Sequence, residues 1–202
     1  MLHPLPYFVL LTCFFYTGST FAQKRMQQGT HHGFYLSMAG GAMRGNINGY
    51  DSNGSGVISG TGTEFDIQIG GAVTSRWIIH ALFTGKYLSS PTINNVQFSG
   101  HYSVNESVVG LGLTRYTHRN FFLTGNVGTG YYSFSDNKNK TSTDNGLSFF
   151  FKGGKEWWLS RHLSAGVALT YGHTKLTDRT DIGTKEKWNS SRFGVVVQFT
   201  LN

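Results

Sequence analysis

The chain has 202 residues, with 27 glycines, 3 prolines, 15% aromatic residues, 13% charged residues and a formal charge of +7. Its charged share is roughly half the average of about 25% for soluble proteins, so neither a disordered chain nor an ordinary soluble surface fits. The mean hydropathy of -0.23 excludes a polytopic helical membrane protein, and abundant glycine and aromatics favour strands over helix bundles.

Residues 1–22 contain no Asp, Glu, Lys or Arg, and an apolar stretch runs from Tyr7 to Tyr16. Thr20-Phe21-Ala22 before Gln23 offers a small-x-small cleavage site, so the segment reads as an export signal. After it, no run approaches the ~18 apolar residues that a spanning helix needs. Cleavage after Ala22 removes Cys13, the single cysteine. The mature chain then has no disulfides, thiolate chemistry or cysteine metal sites. Residues 23–32 form a short polar segment that ends in the adjacent pair His31 and His32.

From residue 33 onward the sequence alternates with period two in eight segments, near 33–43, 63–73, 77–88, 103–116, 121–134, 146–157, 163–175 and 190–201. In the third, Trp77, Ile79, Ala81, Phe83, Gly85 and Tyr87 face one side, and His80, Thr84 and Lys86 the other. Alternation at 180° per residue is the strand signature. Three connections are tight, at 74–76, 117–120 and 159–162; four are long and polar, near 44–62, 89–102, 135–145 and 176–189. Long and short connections alternate, so the long ones collect at one end and the short ones lie with both termini at the other. That asymmetry is expected of an all-β, eight-stranded, antiparallel up-and-down transmembrane β-barrel spanning residues 33–202. Trp77, Phe121 and Trp157 stand beside the short turns, and Tyr87, Tyr131 and Tyr171 toward the long loops. Ten residues separate Trp77 from Tyr87, or about 25 Å along the membrane normal at ~40° tilt, the height of an apolar band between aromatic girdles. These six are the expected membrane-interface anchors.

The opposite parity points inward, where eight strands leave a lumen that side chains nearly fill. It carries a polar cluster of Glu64, Asp66, Lys86, Glu106, Lys152 and Arg192, accompanied by His80, Asn126 and Glu156. Centring the 74–76 turn places Lys86 opposite Glu64, with Asp66 on the diagonal. Buried charges need partners, so interlocked ion pairs are expected. Replacing Lys86 by Met should then destabilise a plugged barrel by leaving Glu64 and Asp66 unpaired, whereas in a pore it should change conductance. Lys24, Arg25, Arg76, Arg115, Arg119 and Arg161 map to the short-turn end, where they read as snorkelling anchors.

The export signal, eight alternating strands, Ser75-Arg76-Trp77 and His118-Arg119-Asn120 turns and glycine-rich strand centres resemble the small outer-membrane β-barrel family, the OmpA/OmpX-like porin-domain group. The resemblance covers residues 33–202 and implies a Gram-negative outer-membrane location, with residues 23–32 in the periplasm. Family members usually end in an aromatic residue, whereas this chain ends Phe199-Thr200-Leu201-Asn202. No periplasmic peptidoglycan-binding domain is expected after the last strand. Some barrels of this size deacylate lipid A with a His-x-Ser and a carboxylate at the rim. Here His101-Tyr102-Ser103 with Glu106 is the one candidate, and the opposite parities of His101 and Glu106 speak against it. The expectation is a non-enzymatic, monomeric protein without cofactor or metal, structural or surface-interacting, with a plugged lumen and four extracellular loops. Outer-membrane lipids and an extracellular ligand are its expected partners, and nucleic acid is not. The alternatives are a narrow pore for ions or small solutes and, less favoured, a lipid A-modifying rim enzyme.

Overall fold

A computed structural model describes residues 31–51, 54–89, 91–94, 96–97, 102–117, 119–135, 139–179 and 185–202. The expected signal peptide, His101 and His118 lie outside these residues. Eight long strands form a closed sheet: β1 (Phe34–Asp51), β2 (Gly54–Thr74), β3 (Trp77–Ser89), β6 (Ser103–Tyr116), β7 (Phe121–Ser135), β9 (Gly146–Trp158), β10 (Leu163–Arg179) and β11 (Lys185–Leu201). Three short strands, β4 (Thr92–Ile93), β5 (Val96–Gln97) and β8 (Lys140–Ser142), extend the long-loop end. Every ladder is antiparallel, and β1 pairs with both β11 and β2, which closes the barrel. The fold is therefore the all-β, eight-stranded antiparallel barrel that the alternation predicts.

Local chemistry sets the tight turns. Thr74 Oγ1 accepts the amides of Arg76 at 3.3 Å and Trp77 at 3.1 Å, beside a register shift between Ala72 and Thr74. Asn120 adopts φ 57°, a left-handed conformation that asparagine tolerates better than most residues. Ser160 Oγ accepts the amides of His162 at 3.3 Å and Leu163 at 3.2 Å. Below the first of these turns, β2 and β3 pair in the expected register, with Glu64 opposite Lys86.

Two of the connections expected to be long loops are strands instead. Much of 44–62 belongs to β1 and β2, and much of 176–189 to β10 and β11. The cause is an inversion of the pattern. Within the lower barrel the outward residues are apolar, as at Met38, Ile69, Leu111, Leu169 and Val195. Toward the long-loop end the buried positions become apolar, with Met43, Ile47, Ile58, Leu88, Val104 and Leu176 facing in. Arg44, Asn46 and Lys175 there face out and are exposed. A strand with inverted parity and several glycines and asparagines reads as a polar loop, although its ladder continues unbroken.

The six aromatic residues expected at the membrane interface point outward. Trp77, Tyr87, Phe121, Tyr131 and Trp157 are exposed, and Tyr171 is half-buried beneath Phe193, with ring centroids 4.8 Å apart. Near the short turns the Arg115 guanidinium lies 5.2 Å from the Trp77 ring. The Lys155 ammonium lies 5.0 Å from the Phe121 ring and 5.4 Å from the Trp157 ring. Such cation–π contacts suit long cationic side chains at an interface between apolar and aqueous layers.

Candidate functional site

The lumen is layered. Near the short turns Tyr35, Ala39, Ile78, Tyr116, Phe122, Ala168 and Val196 form one buried apolar cluster. Toward the long loops Met43, Ile47, Ile58, Leu88, Val104, Tyr132 and Leu176 form a second. Between them lies a polar layer, and all six residues of the expected cluster are buried in it: Glu64, Asp66, Lys86, Glu106, Lys152 and Arg192.

The pairing within this layer differs from the pairing expected of it. Lys152 Nζ, not Lys86, meets Asp66, at 2.8 Å, and Gln68 Nε2 donates to the same Asp66 oxygen at 3.1 Å. Arg192 Nη1 pairs with Glu106 and also donates to Ser190 Oγ at 2.9 Å, and Nη2 donates to Thr174 Oγ1 at 3.2 Å. Glu64 accepts from Thr170 Oγ1 across the lumen. Gly194 permits that contact, since a Cβ there would collide with both partners. Lys86 stands in register between Glu64 and Glu106 on the neighbouring strands. Its ammonium nevertheless makes no hydrogen bond among the described residues and rests 5.0 Å from the Phe150 ring. Asp66 and Glu106 have cations of their own in Lys152 and Arg192, whereas the partner of Glu64 is the neutral Thr170 hydroxyl, so Lys86→Met would take the facing charge from Glu64 but leave Asp66 its counter-charge.

Nearer the short turns Glu156 is a hub that the sequence placed inward without showing its partners. Its carboxylate accepts from Tyr116 Oη at 3.1 Å, Ser164 Oγ at 2.7 Å, Thr200 Oγ1 at 2.7 Å and Gln198 Nε2. Donors from three strands, β6, β10 and β11, therefore converge on one side chain of β9. His80 Nε2 donates to Asn126 Oδ1 at 2.9 Å, and Asn126 Nδ2 donates to the Phe150 carbonyl at 3.1 Å.

The expected periplasmic tail has an unexpected end. His31 turns back into the short-turn mouth of the barrel and is buried, while His32 is exposed. The His31 ring stacks on Tyr116 at 3.7 Å and leans on Trp158 at 5.3 Å. Its Nδ1–H donates to Asn202 Oδ1 at 3.0 Å, and the Asn202 carbonyl accepts from His162 Nδ1 at 3.0 Å. Burial holds the His31 pKa below its ordinary value, against the opposing pull of the Asn202 hydrogen bond and Glu156, with His32 adding slightly to the lowering. A depressed pKa means that the docked form prefers neutral imidazole. Docking is therefore fully stable above the unfolded value of about 6.5 and weakens as pH falls below it. Lowering the pH from 7.5 to 5 is expected to shift the Trp158 indole N–H resonance toward that of a His31→Ala variant. An identical titration in both proteins would show that His31 does not control the mouth.

Among the described residues no three His, Cys, Asp or Glu side chains gather as metal ligands. Of the candidate rim triad, Glu106 lies in the lumen on Arg192, apart from the outer wall.

No family model and no curated protein sequence matches this chain. Solved structures do. The outer membrane protein OprG from Pseudomonas aeruginosa aligns with a TM-score of 0.52 at 12% identity, over 87% of this chain and 99% of that one. Neisserial surface protein A aligns at 0.49 and 11% identity, over 82% of this chain and 95% of that one. Ail, the attachment invasion locus protein of Yersinia pestis, aligns at 0.48 and 14% identity, over 83% and 99%. At such identities the likeness is one of fold, carried by the OprG alignment: this chain has the fold of a small outer-membrane β-barrel.

Proposed function

We propose that the chain is a Gram-negative outer-membrane barrel with a closed lumen, working at its surface in a structural or interaction role. Its support is the exposed apolar band with aromatic girdles, the loop asymmetry, the export-like first 22 residues and the likeness in fold to OprG. In this reading the short turns and His31 face the periplasm, the protein is a monomer surrounded by lipid, and its long-loop end meets an extracellular ligand.

The carrying observation is that apolar clusters cap the polar layer on both sides. Beside Lys86, Glu106 and Arg192, toward Met43, Ile47, Leu88 and Val104, lies a cavity of about 10 Å³, room for one water at most, while a wider one of about 300 Å³ reaches Lys86 and Glu106 from the side of Phe65, Tyr87 and Tyr131. Ions crossing a path of that kind would have to shed their hydration twice, which hydrophobic constrictions oppose. The protein refolded into liposomes is accordingly expected to hold small solutes and ions sealed, with a boiled-against-unboiled gel reporting folding. Steady solute release from vesicles carrying folded barrel would overturn the closed-lumen reading. It would favour the second reading, a narrow pore, for which the unpaired Lys86 ammonium is the supporting feature.

A further inference from the structure

The strand extensions that the sequence disguised as loops put charge on the outer wall. On β1, β11 and β10, Arg44, Lys187 and Lys175 all have outward parity and are exposed. Among the described residues none of the three makes an ion pair. No acidic residue shares their outward parity on these strands; Asp178 and Glu186 alternate to the other face. Asn46, Asn48 and Asn189 fill the wall between the cations.

The ladder fixes their height. Arg44 pairs with Phe193, which pairs with Tyr171, so this first cation stands level with the upper aromatic girdle. Arg44 stands ten positions after Phe34, as Tyr87 does after Trp77. Lys175 is in the row of Asn189 and Asn48, above Arg44, and Lys187 is higher still, between Thr177 and Tyr50. Six residues along a strand separate the Arg44 and Tyr50 rows, or about 15 Å along the normal at ~40° tilt. The wall thus offers cations at successive heights immediately above an apolar surface, with amide side chains between them.

We propose that this face binds an outer-leaflet lipid whose large, sugar-containing headgroup carries more than one phosphate. The inference rests on the membrane reading above and assigns that barrel a specific lipid contact. The acyl chains lie on Phe193 and Val195, Arg44 takes the phosphate nearest the membrane, and Lys175 and Lys187 take anionic groups farther out. The three asparagines hydrogen-bond the headgroup hydroxyls. A phospholipid with a single phosphate reaches only the lowest cation, and a soluble polyanion gains nothing from the apolar surface below.

The test uses the full chain refolded in phosphatidylcholine nanodiscs doped with diphosphoryl lipid A, monophosphoryl lipid A or phosphatidylglycerol. Lipid that stays with the barrel after detergent extraction and gel filtration is measured as phosphate. The diphosphoryl lipid should be retained at least tenfold better than phosphatidylglycerol, with the monophosphoryl form between them. The R44Q/K175Q/K187Q variant should lose about 10- to 100-fold of that preference, three surface cations each contributing modestly. Lys175→Glu alone reads the same loss if the triple variant folds poorly. Equal retention by wild type and variants, or of phosphatidylglycerol and the diphosphoryl lipid, overturns the proposal. So does binding of a soluble sulfated oligosaccharide without retention of the lipid. Failure of the wild type to enter nanodiscs as a heat-modifiable barrel instead overturns the membrane reading itself.

Discussion

Replacing Lys152 by methionine is expected to lower the unfolding free energy by about 3–5 kcal/mol, the usual cost of leaving one partner of a buried ion pair uncompensated. Among the described residues Lys152 Nζ is the one cation bonded to Asp66, at 2.8 Å, and both side chains are almost completely buried. Gln68 remains as a donor to Asp66 but carries no charge. The same substitution at Lys86 should cost clearly less, because it takes the facing charge from Glu64, which keeps the Thr170 hydroxyl, and leaves Asp66 and Glu106 their own cations. A buried ammonium without a hydrogen bond carries a desolvation cost that methionine lacks, and a thioether keeps favourable contact with the Phe150 ring. The two substitutions are identical in chemistry and differ only in what the side chain touches. Urea titration of the barrel in lipid vesicles, read as the unboiled gel mobility, measures both. A double variant, D66L/K152M, should recover most of the loss, because it removes the stranded charge. Equal losses from Lys152→Met and Lys86→Met would contradict the pairing described here.

Glu156→Leu should be comparably damaging, for a different reason. Leucine removes the acceptor that the Tyr116, Ser164, Gln198 and Thr200 donors share in the buried interior. Each stranded donor costs about 1–3 kcal/mol, so a total loss of roughly 3–6 kcal/mol is expected, since such terms are not additive. Glu156→Gln keeps one oxygen where three of the four donors converge, and should lose less than half as much. A further sign should separate this hub from the Asp66–Lys152 pair. Tyr116, one of the stranded donors, also stacks on His31, so Glu156→Leu should loosen the docked segment while Lys152→Met leaves it in place. Amide exchange at Asn202, whose N–H donates to the His162 carbonyl at 2.9 Å, would report that loosening. Protection at Asn202 equal to wild type in Glu156→Leu would disconnect the hub from the mouth.

Strand parity was legible in the sequence because it is local: successive Cβ atoms point to opposite faces whatever the rest of the chain does. Alternation alone was enough to put Glu64, Asp66, Lys86, Glu106, Lys152 and Arg192 inside and the girdle aromatics outside. The tight turn at 74–76 likewise set the β2–β3 register, since a short connection leaves little freedom in pairing. Parity failed to reveal strands only where the polar and apolar faces exchange. Above the apolar outer band, residues such as Met43 and Ile47 turn inward while Arg44 and Asn46 turn outward, so a continuing strand reads as a loop.

Partners were decided by closure. Asp66 and Lys152 are 86 positions apart, and Glu64 and Thr170 are 106 apart. None of these pairs is adjacent in the sheet. They meet because curling eight strands into a narrow barrel brings opposite walls within side-chain reach, at relative heights set by the accumulated register of every ladder between them. The sequence could name Lys86 as the counter-charge of Glu64, which faces it on the next strand. Only the closed tertiary structure could give Glu64 to Thr170, Glu106 to Arg192 and Asp66 to Lys152. His31 follows the same logic, since its acceptor Asn202 lies 171 residues away and comes within reach only when β1 and β11 join.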